Sequence, residues 1–194
     1  MHTESLFAEF PVLTTDRLLL RRIAAEDAVE FSRYYADPRV SRFMDWRGPG
    51  SLPEAEEVIA AWNRGYNNRQ VIPWAITFRG NADAAGQLIG TIAVIPIRGT
   101  FEWTPVPPVS VGFDLASGHW RQGIMSEALA AVTGFIFEKL GAHRMQAEVL
   151  PDNAASLRLL KKAGFREEGV LRQYLYHEEK KTFIDVAMLA RLRE

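Results

Sequence analysis

Apolar positions change rhythm along this chain. From Ile124 to Leu140 they recur at three- and four-residue steps: Met125, Leu129, Val132, Ile136 and Leu140. That spacing predicts a helix with one apolar stripe, ended by Gly141. Ala24–Tyr35 carries the same spacing in a shorter form, and Asp37-Pro38 stops it. Pro53–Tyr66 places Ala55, Val58, Ile59 and Trp62 on one side, with Pro53 suited to a first turn, after a Gly48-Pro49-Gly50 loop. Ala154–Ala163 reads as one more short helix, closed by Gly164. The runs Arg17–Ile23, Pro73–Phe78, Gln87–Ile95, Val109–Leu115, Arg144–Leu150, Phe165–Tyr176 and Thr182–Ala190 predict strands. Gly80–Gly86 carries turn residues. Pro96–Pro108, with Phe101 and Trp103, is a long hairpin connection or loop and not a domain linker.

Helices and strands alternate without a repeat, a low-complexity tract or a break in composition. One α/β (α+β) domain over residues 1–194 is expected, with its core at about 15–192. A formal net charge of −1 offers no general basic face for phosphates, so nucleic acid is not an expected partner. The chain has no cysteine, which removes disulfides, thiolate catalysis and Cys-based zinc sites. His2, His119, His143 and His177 lack metal-site pairing, so no metal is expected. The N-terminus shows no basic region followed by a long apolar run, and no stretch approaches the ~18 apolar residues of a membrane span. A cytoplasmic protein without a membrane partner is the expectation.

Chemistry concentrates in Val111–Ala128. A strand runs into a turn carrying Gly118 and Gly123, and the turn opens the long helix. The first amides of a helix have no internal partners and point outward with the positive end of its dipole. Such an end suits a pyrophosphate. Gly123 lets backbone approach phosphate oxygens without a Cβ in the way, and Arg121 adds charge. A plain strand–turn–helix connection accounts for the same spacing. The Gly-Lys-Ser/Thr ending of a Walker loop is missing, and Gly118 with Gly123 does not fit a dinucleotide fingerprint.

The segment resembles the acetyl-coenzyme A motif of the GNAT N-acetyltransferase superfamily, in its RimJ/RimL-type (ribosomal-protein-alanine N-acetyltransferase-like) branch. That branch resembles Trp-Gly-x-Gly-x-x-x-Glu-Ala after a strand, and here Trp120-Arg121-Gln122-Gly123-Ile124-Met125-Ser126-Glu127-Ala128 stands in its place. Thr15-Asp16-Arg17-Leu18 with Glu26-Asp27-Ala28 is similar to the family's opening strand and helix. Asn153-Ala154-Ala155-Ser156, Lys162-Ala163-Gly164-Phe165 and Glu168-Gly169 are similar to its second motif, and Asp185 also matches. The sequence departs at Trp120 and Met125, where the looser superfamily pattern has Arg or Gln and a small residue.

The resemblance implies a mixed, mostly antiparallel sheet flanked by helices and splayed between its two central strands. It implies that the amides around Phe113, Asp114 and Leu115 bind the pantetheine arm like an added strand. Trp120 and Arg121 belong to the same coenzyme motif, and the amides of Gln122, Gly123, Ile124, Met125 and Ser126 hold the pyrophosphate. Asn153 resembles a residue that contacts the pantetheine arm. Ser156 resembles a hydroxyl near the thioester sulfur that protonates the leaving thiolate. Capping explains Asn153 without any ligand, and Ser is common in a first helical turn.

The reaction implied is direct attack of an amine on the thioester of acetyl-coenzyme A, with the coenzyme as co-substrate. A lysine amine has a pKa near ~10.4 and an α-amine near ~7.7–8.0, so deprotonation at pH 7 costs about 4–5 against about 1–1.5 kcal/mol. An α-amine therefore needs a base less. Some relatives carry a Glu in the penultimate strand, where this chain has Tyr174-Leu175-Tyr176, with Glu178 and Glu179 nearby. Glu102, in the Pro-rich connection, is a further candidate base if that loop folds over the substrate, and an exposed loop carboxylate otherwise. The expected acceptor is the α-amine of a protein or peptide N-terminus. A small-molecule amine (antibiotic, polyamine or amino-acid-like) is an alternative: acidic residues lining the acceptor side would favour a cationic antibiotic, and an apolar, open cleft a peptide terminus. A non-catalytic acyl-coenzyme A module is another. Asp45, Trp46 and Arg47 are candidates for that side, although aromatic residues are more often core than substrate contacts. A homodimer is common in such folds, and no interface signal stands in the sequence.

Overall fold

The computed structural model describes residues 7–44, 46–80, 86–103, 105–178 and 180–193. Its elements are β1 (Leu13–Thr14), β2 (Leu18–Arg22), α1 (Ala28–Tyr35, entered through a 3-10 turn at Ala25–Asp27), α2 (Pro38–Ser41), α3 (Leu52–Asn67), β3 (Ile72–Phe78), β4 (Leu88–Pro96) and β5 (Val109–Leu115). After a 3-10 turn at Ser117–His119 come α4 (Ile124–Gly134, widening into a π-helical stretch over Phe135–Leu140), β6 (Arg144–Val149), α5 (Ala154–Lys162), β7 (Arg166–His177) and β8 (Thr182–Leu192). Among the described residues, eight strands form one sheet in the order β1-β2-β3-β4-β5-β6-β8-β7.

Burial follows the two periods. Leu18, Leu20, Ile72, Trp74, Ile76, Val109 and Val111 face one side and meet the stripe of α4, including Ile124, Leu129, Val132 and Ile136. Ile23, Ala75 and Leu88 face the other side with Phe31, Tyr34 and Tyr35 of α1 and Ala55 and Ile59 of α3. Two helical layers thus cover opposite faces. Each large side chain removed from water in this way contributes about 1.5–3 kcal/mol.

Pairing is antiparallel except between β5 and β6. Their parallel ladder is confined to Val109↔Met145 and Ser110↔Gln146. Beyond it the strands part, each held by its outer neighbour: β5 by β4 through Gly90↔Leu115, and β6 by β8 through Val149↔Ala187. The expected splay lies here.

Besides the short β1, which the sequence reading did not contain, three local features differ from it. Asp37-Pro38 ends α1 but also begins α2, with the Asp37 carboxylate accepting from the Arg39 amide at 3.0 Å as an N-cap and Pro38 in the first turn. The last turns of the long helix widen because Phe135, Ile136, Phe137 and Leu140 are all buried, which a regular 3.6-residue stripe cannot achieve. β7 carries extra residues against β8 between Leu171↔Val186 and Leu175↔Ile184. Gln173 turns left-handed there (φ 50°), and its amide donates to Asp185 Oδ1 at 2.8 Å. This bulge gives Asp185 a structural reason to be acidic.

Candidate active site

The turn into α4 is shaped by two left-handed residues, Arg121 (φ 63°) and Gly123 (φ 77°). The first helical bond runs from the Glu127 amide to the Gly123 carbonyl at 3.1 Å, and no side chain caps this end. The amides of Ile124, Met125 and Ser126 are therefore presented outward. Ile124 and Met125 themselves point into the core, so the large Met125 side chain does not crowd the amide face. Trp120 closes the preceding turn, its indole donating to the Leu115 carbonyl at 2.7 Å. The Gln122 side-chain amide donates to the Gly118 carbonyl at 2.9 Å.

Glu127 ties this turn to the start of the chain. It accepts from Thr15 Oγ1 (2.5 Å), the Arg17 amide (3.0 Å) and Arg17 Nε (2.7 Å), while Arg17 Nη1 donates to the Gln122 carbonyl at 3.0 Å. Burial raises the Glu127 carboxyl, but the hydrogen bonds and the guanidinium outweigh it and hold it below the usual range. Thr15, Arg17 and Glu127, noted in sequence as separate pieces of a pattern, are one contact.

The parted strands open a cavity of about 310 Å³. Phe113, Asp114, Asn153 and Ser156 all line it, from β5 on one side and the start of α5 on the other. The Ala116 amide donates to the Ile89 carbonyl at 2.8 Å, so by the two-residue alternation the amides of Phe113 and Leu115 point the other way, into the gap. Asn153 caps α5, its Oδ1 accepting from the Ser156 amide at 3.1 Å. The Ser156 hydroxyl makes no hydrogen bond among the described residues.

Strand alternation sorts the cavity's carboxylates. Val111 and Leu115 belong to the core under α4, which puts Gly112 and Asp114 on the α1–α3 face. Met145, Ala147 and Val149 do the same for β6, which puts Glu148 on that face as well. Asp114 accepts from Tyr34 Oη (2.6 Å), Tyr35 Oη (3.1 Å), Thr91 Oγ1 (2.6 Å) and the Thr91 amide (3.2 Å). Burial pushes its carboxyl above the usual range, against the pull of those four donors. The Tyr34 hydroxyl is raised as well, first by burial and then by the charge of Asp114. Glu148 lines the cavity with its side chain exposed. Neither placement was visible in sequence: the tyrosine partners of Asp114 lie 80 and 79 positions away and Thr91 lies 23 away, and Glu148 looks like any surface acid on a strand.

Other expected residues fall elsewhere. Glu102 does not line the cavity: it lies in the connection at the far end of β4 and β5 and pairs with Arg69. The loop does not fold over the gap because its Phe101 is buried in the core and the Phe101 amide is bonded to the Arg69 carbonyl at 3.0 Å. From Tyr174-Leu175-Tyr176 only Leu175 lines the cavity, and both tyrosines are exposed. Trp46 lines it, whereas Arg47 pairs with Glu54 at 2.9 Å. Glu178 is exposed outside the cavity; Asp45 and Glu179 lie outside the described residues. Among the described residues no cluster has the make-up of a metal site, and no helix is long and apolar enough to cross a membrane.

A mixed sheet parted between β5 and β6, with an uncapped helix start beside the gap, defines the class of acyltransferase expected from the sequence. The model of the acetyltransferase (GNAT) domain matches residues 17–166, and the chain belongs to that family. It is an N-acetyltransferase by kinship. The uncharacterized N-acetyltransferase YoaA of Bacillus subtilis is 35% identical over 167 residues, covering 86% of this chain and 89% of that protein. The [ribosomal protein uS5]-alanine N-acetyltransferase of Escherichia coli is 28% identical, covering 84% and 82%. Mycobacterium smegmatis RimJ, solved with CoA-disulfide, superposes with a TM-score of 0.75 at 23% identity, covering 90% of this chain and 81% of that one.

Proposed function

We propose that this N-acetyltransferase moves the acetyl group of acetyl-coenzyme A to the α-amine of a protein or peptide. The observation that carries the reading is the gap between β5 and β6, which has the Phe113 and Leu115 amides on one edge and Ser156 on the other. The residues present fit the coenzyme. Free strand amides suit the amide-bearing pantetheine arm, and the Ile124–Ser126 amides with Arg121 suit the pyrophosphate. The likeness to a family with RimJ- and RimL-type members supports the choice of acceptor.

The bound coenzyme supplies an electrophilic thioester carbonyl. Glu148 Oε takes one proton from the incoming ammonium, and the freed lone pair attacks that carbonyl carbon. As the carbon–sulfur bond breaks, its electron pair leaves on sulfur, and Ser156 Oγ–H donates the proton that makes the thiol. Ser156 is reprotonated by solvent, and the second amine proton and that of Glu148 pass to water, so one proton is released per amide formed.

The test follows thiol release from acetyl-coenzyme A with peptides carrying free α-amines. Ser156→Ala is expected to slow turnover about 10²-fold or more while the Kd for coenzyme A stays nearly unchanged. Unchanged turnover would remove the acid from Ser156.

A further inference from the structure

The α1–α3 side of the cavity has a composition that the transfer reaction alone does not require. Tyr35, Phe43, Met44, Trp46 and Trp62 line it, together with Asp114 and Glu148. The aromatic wall is braced. Tyr35 and Trp46 stand 5.6 Å apart, and Trp62 packs edge-on against buried Phe31 at 5.5 Å. Gly48 lies directly on Tyr35: a Cβ there would come within 2.1 Å of the ring, and its φ of 78° also favours glycine. This close approach fixes the segment that carries Trp46. Opposite, Gly112 has nothing within 4 Å of where a Cβ would stand, which leaves room between the strands and the rings.

We infer that this end of the cavity selects a primary ammonium adjoining a large apolar group, as on a chain terminus that begins with Phe, Leu or Met. The inference rests on the transfer reading for its site. The half-buried rings of Phe43, Trp46 and Trp62 receive the apolar side chain, and their faces attract the cation beside it. Glu148 complements the ammonium charge at the mouth of the gap. A small first residue would leave the ring wall partly wet and uncontacted. A pocket of this kind discriminates between side chains differing by a few methylenes by factors of ten or more.

The experiment titrates the coenzyme A-saturated protein by calorimetry with two tetrapeptide amides, identical but for an N-terminal Phe or Ala, and with phenethylamine. The Phe peptide is expected to bind about tenfold more tightly or better. Gly112→Val, which fills the floor, and Trp46→Ala, which removes part of the wall, should each bring the ratio below about threefold, with the Kd for coenzyme A held within about twofold. Phenethylamine binding as tightly as the Phe peptide assigns the group to a free amine; weaker binding assigns it to a chain terminus. Equal binding of the two peptides, tighter binding of the Ala peptide, or a ratio that neither variant changes overturns the inference. Thiol release on the same samples separates the readings: tight Phe binding without release keeps the pocket and removes the transfer step.

Discussion

Gly123 carries the sharpest single-residue constraint in the turn into α4. Its φ of 77° is left-handed, whereas the site of a Cβ meets only Arg17 Nη2, at 3.5 Å. Conformation, not crowding, therefore demands glycine. Gly123→Ala costs about 1–2 kcal/mol in backbone strain, and the strain is relieved by turning the α4 amides out of place. A lower Tm and a raised Kd for coenzyme A are expected in calorimetry, while an unaltered Kd would detach this turn from the pyrophosphate. Gly123 was legible as a turn residue because its setting is local: a glycine at the boundary of a periodic stripe. Asn153 was legible on both counts, as a cap and as a residue at the gap. Asp114 was legible only as backbone. Its side chain serves Tyr34, Tyr35 and Thr91, and no short-range pattern joins those positions.

Elements are held to the site by polar ties. Asp37 Oδ2 accepts from Ser117 Oγ at 2.5 Å and from Arg39 Nη2 at 2.6 Å, which fastens the start of α2 to the turn between β5 and α4. The Arg39 hydrogen bonds first, then Ser117, hold the Asp37 carboxyl well below the usual carboxylate range. The sign follows from that depression: the ionised form is favoured by the fold, so its stabilisation is present above the unfolded value near ~3.9 and fades as pH falls toward the lower folded one. Asp37→Asn should lower Tm at pH 7, and the gap from the parent should narrow steadily below about pH 4. A gap independent of pH would contradict the tie. Apart from β1 and α2, which the sequence reading did not contain, strand and helix positions were legible from period and turn residues to within a few residues. The bulge in β7 was not, because Gln173 turns only to meet Asp185 on the neighbouring strand. Nor was the π-helical end of the long helix, which depends on what three consecutive buried side chains, Phe135 to Phe137, find across the interface.

Across the molecule, the order of elements specified one α/β domain, and the mixed sheet, its coenzyme edge and the splay were expected from family resemblance rather than from any hydrophobic pattern. Where β5 and β6 separate depends on how long each keeps its outer partner, a property of the whole sheet. The same separation sorts the acids: Asp114 and Glu148 line the cavity it opens, and Glu102 stays paired to Arg69 at the other end. Both halves of the account, coenzyme in the gap and α-amine beyond it, meet in one measurement. The protein is incubated with acetyl-coenzyme A and a peptide bearing one free α-amine and one lysine, and the product is fragmented in a mass spectrometer. The account predicts a single acetyl group on the N-terminal residue. Acetylation confined to the lysine side chain would contradict it.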